Sequence, residues 1–330
     1  MFCYQSIVAT LKQFVMRSGF TERCELWRSR EIRTGHQIMC DVFEGRIWKD
    51  FMTFDDSSFL ASPWNYAFML NVDWMQPFDH TEYSIGVMYL VLMNLPRNER
   101  FKRENIFLVG IIPGPNEPCH DINSFLRPLV DELCLLWKDG VQLRHSGSPL
   151  FPELFRAALL NPLDHRKHID DILAQPTQEL RNAKESEYGA RYMELLRLPY
   201  FDCIRFTIVD HMHNLFLGTA KRMMEIWIDL SLLTRADLER IQSKVDTTNV
   251  PSNFGRMPYK IATSFSGFTA EQWKTWVTVF SPFALFGHLP SRHYKCWLNF
   301  VKACKLLSKP MIQISEVGTA HSLLIKFFLS

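Results

Sequence analysis

Residues 66–114 contain three apolar runs, YAFMLNVDW (66–74), YSIGVMYLVLMNLP (83–96) and NIFLVGIIPG (105–114), joined by the polar connections MQPFDHTE (75–82) and RNERFKRE (97–104). Pro77 and Asp79 supply turn chemistry in the first connection. Connections this short favour antiparallel pairing, because a parallel crossover needs a dozen or more residues. The stretch therefore predicts a three-stranded meander with a buried face.

The flanking sequence reads as helix. Downstream, Ile122, Phe125, Leu126, Leu129, Val130, Leu133, Leu136 and Trp137 recur at helical spacing, despite Pro128 near the start of the run. Upstream, Ile7, Leu11, Phe14 and Val15 share one helical face, and Gly19 stands where a left-handed C-cap is expected. Trp27, Phe43 and Trp48 are the aromatic anchors of a charged segment, 22–50, read as a helix followed by an irregular or hairpin piece. Phe206 and Ile208 alternate like a strand, after which Leu215, Ala220, Met223, Met224 and Trp227 change to a helical period. In the last third, Thr269-Ala-Glu-Gln272 is a capping-box pattern and SRHYKCWLNFVKACKLLS (291–308) is amphipathic. The expected organisation is a helical or irregular segment over 1–55, a mixed α/β core over 56–215 and a helical region over 216–330.

Composition narrows the function classes. With 330 residues, 47% hydrophobic and 22% charged, the chain can bury a large core. A net charge of +2 is not that of a general polyanion binder, so any nucleic-acid contact must come from local patches. The eight cysteines show no Cys-x-x-Cys spacing, which fits free thiols in a reducing compartment rather than a zinc site. Gln5, Lys12 and Gln13 interrupt the N-terminal apolar stretch, against a secretory signal, and no window approaches a membrane span. A soluble protein of the nucleus or cytoplasm is expected. The phosphate-loop, dinucleotide-binding, zincin and nucleophile-elbow motifs are all absent from the sequence.

Four groups of residues could carry chemistry. Asp73, where the first apolar run turns polar, either contributes to a divalent cation site or opens a turn by bonding nearby backbone. Asp210 and His213, three residues apart at the expected strand-to-helix junction, can share a ligand or bond one another; the alternative is an Asp N-cap beside buried histidines. Asp164, His165, His168 and Asp171 have one-turn spacing within a segment dense in Arg and Lys, which reads as a solvated helix face. Arg97, Arg100, Lys102 and Arg103, in the turn before the third strand, could touch a nucleic-acid backbone or only keep the turn soluble.

Several long stretches taken together resemble one family. Residues 71–118, the helix INSFLRPLVDELCLLWKDGV (122–141), LPYFDCIRFTIVDHMHNLFLGTAK (198–221) and FSGFTAEQWKTWVTVFSPFALFGHLPSRHYKCW (265–297) closely resemble the transposase of CACTA-type (En/Spm-like) DNA transposons, in the form found outside plants. The resemblance runs from about Cys24 to near Leu307. It implies a ribonuclease-H-like core in which acidic residues hold two divalent cations, Mg²⁺ or Mn²⁺, for in-line attack on a phosphodiester. It implies transposon-end DNA as partner, with a homo-oligomer as a further possibility. By the same resemblance Asp73 is the first catalytic carboxylate and metal ligand, and Asp210 and His213 match the family's Asp-x-x-His element.

The departures decide what activity to expect. Family members continue, after the segment that LFPELFRAALL (150–160) resembles, into an acidic stretch with a Gly-His pair and a Cys-x-x-Cys; here NPLDHRKHIDDIL follows directly from Asn161. The expectation is an internal deletion at 160/161 that removes the second carboxylate, and a third that lies beyond the reach of the chain. HSLLIKFFLS (321–330) stops within an apolar pattern, as a cut end would. The fold expected is therefore mixed α/β: a partial ribonuclease-H-like sheet, made of the three-stranded antiparallel meander plus one later strand over 204–210, with a mostly helical C-terminal half. The function expected is that of a degenerate, catalytically inactive transposase, or else of a non-catalytic DNA-binding or protein-interaction protein derived from one.

Overall fold

In chain order the elements of the structure, a computed structural model, are β1 (Cys3–Tyr4), α1 (Ile7–Val15), α2 (Phe20–Glu25), β2 (Ile38–Met39), α3 (Arg46–Met52), β3 (Phe68–Met75), β4 (Ile85–Leu92), β5 (Ile106–Ile112), α4 (Ile122–Lys138), α5 (Leu163–Ala174) and α6 (Gln178–Tyr188). A π-helical segment (Met212–Ala220) then leads into α7 (Lys221–Asp229), α8 (Arg235–Asp246), α9 (Ile261–Ser264), α10 (Ala270–Thr275), α11 (Ser281–Ala284), α12 (Ser291–Leu307), β6 (Ile312–Gln313) and α13 (Ile314–Phe328). The residues described are 2–30, 38–53, 59–78, 81–118, 122–141, 163–203, 205–208, 210–249 and 258–329, with backbone alone for 163–165. Asp79, Cys119 and the 160/161 junction lie outside them. Two compact units divide the chain: the described residues within Met1–Arg33 and Asp41–Thr207 form one, and those within Thr34–Cys40 and Ile208–Ser330 form the other.

In the first unit the predicted meander is present. β3, β4 and β5 pair antiparallel in sequence order, Asp73 opposite Val87 and Val87 opposite Ile111. Strand alternation places Leu70 and Trp74 on the same face as Gly86, Met88, Leu90 and Leu92. That face is buried: Met88, Leu90 and Leu92 are at most 1% exposed, and each such side chain contributes roughly 1.5–3 kcal/mol. A bulge between Met88 and Tyr89 shifts the register of β5. Gly86 is required where it stands, because a Cβ there would lie 2.6 Å from the Trp74 ring.

The fourth strand is not the one expected. Among the described residues of 204–210 there is no strand; the sheet has the order β1-β5-β4-β3, and its fourth member is the N-terminal β1, antiparallel to β5. Two local causes explain the difference. The Asp202 carboxylate accepts the Arg205 N–H at 2.8 Å and the Asp202 carbonyl accepts that of Phe206 at 2.9 Å, an Asx-type turn that winds the chain out of extension. The Phe206 ring stacks on Phe51 at 5.6 Å, so its apolar side chain serves packing and not a sheet face.

β1 is held in place by Glu132 of α4. Its carboxylate accepts the Tyr4 hydroxyl at 2.8 Å, the Ile7 N–H at 2.7 Å and the Ser6 hydroxyl. Ile7, Leu11, Phe14 and Val15 of α1 are all buried, and Phe14 meets Phe107 of β5 at a ring distance of 4.4 Å. Gly19 does not close α1; at φ +68° it stands before α2 as its N-cap. Trp27, Phe43 and Trp48, the aromatic anchors of the 22–50 segment, pack on one another with ring centroids 4.7–5.6 Å apart.

The second unit is helical apart from the pair β2 and β6. Its core is built on Trp227, Trp273, Trp276 and Trp297, each at most 1% exposed. The Trp297 indole N–H donates to the Ser281 hydroxyl at 2.8 Å, and that hydroxyl donates to the Val277 carbonyl, which satisfies the polar edge of this buried ring. Thr269 and Gln272 form the capping box read from the sequence, and Thr234 with Asp237 forms another at the start of α8. No helix among the described residues is long and apolar enough to cross a membrane.

Candidate functional site

Asp73 lies inside β3, two residues before its end, and not in a turn. The Ala67 carbonyl accepts the Met93 N–H at 2.8 Å; by the antiparallel alternation Asp73 is bonded to Val87 through its backbone, while Leu70, Val72 and Trp74 turn their amides to the other edge. No strand among those described pairs with that edge. The exposed Asp73 carboxylate accepts the Trp74 N–H at 2.9 Å and so covers one of the edge donors. Its neighbours on the same face are Asn71, whose amide donates to the Tyr89 hydroxyl, and Val87.

Asp210 and His213 are brought together, both in the second unit. The Asp210 Oδ2 and His213 Nδ1 are 2.6 Å apart, and the other carboxylate oxygen accepts the Met212 N–H at 2.8 Å. Burial pushes the Asp210 carboxyl up, but the hydrogen bonds from His213 and Met212 outweigh it, and the carboxyl ends below the usual carboxylate range. The histidines are not buried: the side chains of His211 and His213 are 46% and 68% exposed. With Nδ1 committed to the carboxylate, Nε2 is the nitrogen left for a ligand. The pair stands at the start of the π-helical segment, a wide winding that is rare and often found at functional positions. Gly218 suits that winding, since a Cβ there would approach the His213 carbonyl to 3.0 Å.

The four basic residues of the 97–104 turn separate into two kinds. Arg97, Lys102 and Arg103 are exposed, beside Phe101, whose ring is 55% exposed. Arg100 is 2% exposed. Its guanidinium donates to both oxygens of Asp41 at 2.7 and 3.0 Å and to the Leu95 carbonyl at 2.9 and 3.1 Å, so it holds the turn to the body of the unit and is buried away from any phosphate. Asp73 is opposite Val87 near the start of β4, whereas this turn follows the end of β4 at Leu92. The sheet thus separates the two candidates by several residues of strand at about 3.3 Å each.

The Asp171 and His168 cluster is structural. His168 stacks on Tyr188 of α6 at 4.4 Å, and the Tyr188 hydroxyl donates to Asp171. Among the described residues no three His, Cys, Asp or Glu side chains converge on a point where a metal could sit. The donors among the described residues therefore do not form a two-cation centre of the kind the resemblance implies.

Sequence reading missed a cavity of about 760 Å³ in the second unit. Besides His213 it is lined by Arg222, Trp227, Arg292, His293 and Phe328, and no Asp or Glu is among its lining residues. The available signal was Arg292-His293, which follow Pro290 and Ser291: two basic residues in the first turn of a helix, where acidic ones are the rule.

Comparison with known proteins adds one match. The model of transposase family tnp2 matches residues 37–214, more than half of the chain. No curated protein and no solved structure matches.

Proposed function

Because the chain belongs to transposase family tnp2, we propose that it is a DNA-binding protein of CACTA-type transposase descent which neither cuts nor joins DNA. In this reading the antiparallel meander belongs to a ribonuclease-H-like core, and Asp73 is its first carboxylate. The observation that carries the inactivity is the isolation of Asp73, since no cluster of three metal-ligating side chains forms among the described residues. A two-cation phosphodiester reaction needs several carboxylates to hold the metals and offset their charge. A deletion at the 160/161 junction accounts for the missing partner. Asp210 orients His213 and fixes its tautomer, an arrangement that outlasts loss of the metal centre because it depends only on residues three apart.

DNA binding is the retained part. Lys102 and Arg103 expose their charges next to Phe101, the pairing of cation and aromatic face that suits a nucleic-acid backbone with unstacked bases. The test has two measurements. Incubation of supercoiled plasmid with Mg²⁺ or Mn²⁺ is expected to give no nicking above the protein-free control; nicking abolished by Asp73→Asn would overturn the inactivity. Duplex binding is expected to weaken with salt and, evenly across sequences, in a Lys102→Ala/Arg103→Ala variant. Failure to bind duplex DNA at low salt would remove the DNA-binding reading.

A further inference from the structure

The cavity of the second unit has a one-signed lining around an aromatic body. Arg222 comes from the first turn of α7, Arg292 and His293 from the first turn of α12, and His213 from the π-helical segment. Trp227 forms part of the wall with its indole N–H buried and without a partner, and Phe328 stands 67% exposed at the C-terminal end of α13. A volume of about 760 Å³ falls in the range of small-molecule sites, roughly 300–1,000 Å³.

Two details make this lining unusual for a merely structural hollow. The first turn of α12 carries two basic side chains, and its N-cap, Pro290, supplies no side-chain acceptor, so helix dipole and side chains have the same sign there. The cation on the facing helix, Arg222, is 65% exposed and reaches its one carboxylate, Glu225, only at 3.4 Å. Such an exposed pair is weak and yields readily to a competing anion. An anion between α7 and α12 would meet cationic side chains on both sides.

We propose that this cavity binds a nucleotide unit of single-stranded DNA, its phosphate between Arg222, Arg292 and His293 and its base against the exposed Phe328 ring. The choice of DNA rests on the functional reading above; the combination of anion and planar apolar group rests on the cavity itself. A concave site of this size admits a base only when it is out of the duplex stack. His213 Nε2, with Nδ1 held by Asp210, is a hydrogen-bonding group at the wall.

The experiment uses the full chain and calorimetric or fluorescence titration with a short single-stranded oligodeoxynucleotide, the corresponding duplex, a deoxynucleoside monophosphate and inorganic phosphate. Alkylation of Cys296, a residue lining the same cavity, serves as a local reporter. Single strand and monophosphate are expected to bind and to slow Cys296 alkylation, and Arg222→Ala and Arg292→Ala are each expected to weaken single-strand binding about tenfold or more. Both arginines are exposed, so the variants should fold, and thermal unfolding confirms it. Inorganic phosphate protecting Cys296 as well as the monophosphate would overturn the nucleotide assignment, as would unchanged single-strand affinity in both variants. The two readings fail separately: loss of duplex binding with monophosphate protection intact removes the general DNA-binding reading alone, and the reverse removes this one alone.

Discussion

Arg100 and Asp41 are 59 residues apart in sequence and joined by two hydrogen bonds, 2.7 and 3.0 Å, with the arginine side chain 2% exposed. The guanidinium also lies over the Phe43 ring, 5.1 Å from its centroid. Removing one member of such a pair leaves the other buried and uncompensated. Arg100→Ala is expected to lower unfolding free energy by about 3 kcal/mol or more, while Arg103→Ala, at an exposed position, changes it by less than about 0.5 kcal/mol. Urea denaturation of the two variants compares them directly, and equal midpoints would show that Arg100 is not a structural strut.

Asp73→Asn should leave both stability and divalent-cation response unchanged. Asparagine can still accept the Trp74 N–H through its carbonyl oxygen, so the edge contact at 2.9 Å survives the substitution. Titration with Mn²⁺ followed by thermal unfolding is expected to give the same shift, within error, in wild type and variant. A Mn²⁺ stabilisation present only in the wild type would mean that Asp73 has metal-binding partners.

Gly86→Ala is expected to destabilise the meander. The new Cβ would meet the Trp74 ring at 2.6–2.7 Å, and displacing that ring costs about 1–3 kcal/mol, as overpacking of a filled core does. Gly189→Ala is the contrast: nothing lies within 4 Å, and the cost there comes from its φ of +59° alone. Far-ultraviolet melting curves of Gly86→Ala that overlay the wild type would contradict the close approach.

Acid stability should depend on Asp237. Its carboxyl accepts hydrogen bonds from Thr234, His288 and Arg240, and these hold it well below the usual carboxylate range. The folded state therefore binds this proton less readily than the unfolded chain. The stabilisation is present above the unfolded carboxylate value, near pH 4, and is lost as pH falls from there through the folded value. Asp237→Asn is expected to lower stability at neutral pH by about 1 kcal/mol, the usual worth of a cap, and to flatten the acid side of the stability curve. Parallel acid limbs in the two proteins would exclude this role.

Slow thiol chemistry follows from burial. Cys304 lies within α12 and is fully buried, and burial pushes its thiol up to about 12. Cys3, exposed at the sheet edge, should react with a thiol reagent in the native state, and Cys304 only on unfolding. Mass spectrometry after timed alkylation separates the two, and early modification of Cys304 would contradict the packing of α12.

The sequence by itself determined the elements whose cause is local. Leu90 and Met88 alternate because their strand has one buried face, Ile7, Leu11 and Phe14 repeat because α1 has one buried stripe, and Asp210 and His213 meet because three residues span most of a helical turn. Membership of a transposase family was likewise legible without coordinates. Tertiary structure decided what depends on partners distant in the chain. It placed β1 beside β5 through Glu132, turned Phe206 into a packing ring, and buried Arg100 on Asp41. It also assembled Arg222, Arg292 and Phe328 into one cavity from three helices. Periodicity records which face of an element is apolar, but not which other element covers it. Arg100 and Arg103 therefore read alike in sequence and differ in the fold, where one faces a carboxylate in the interior and the other faces water.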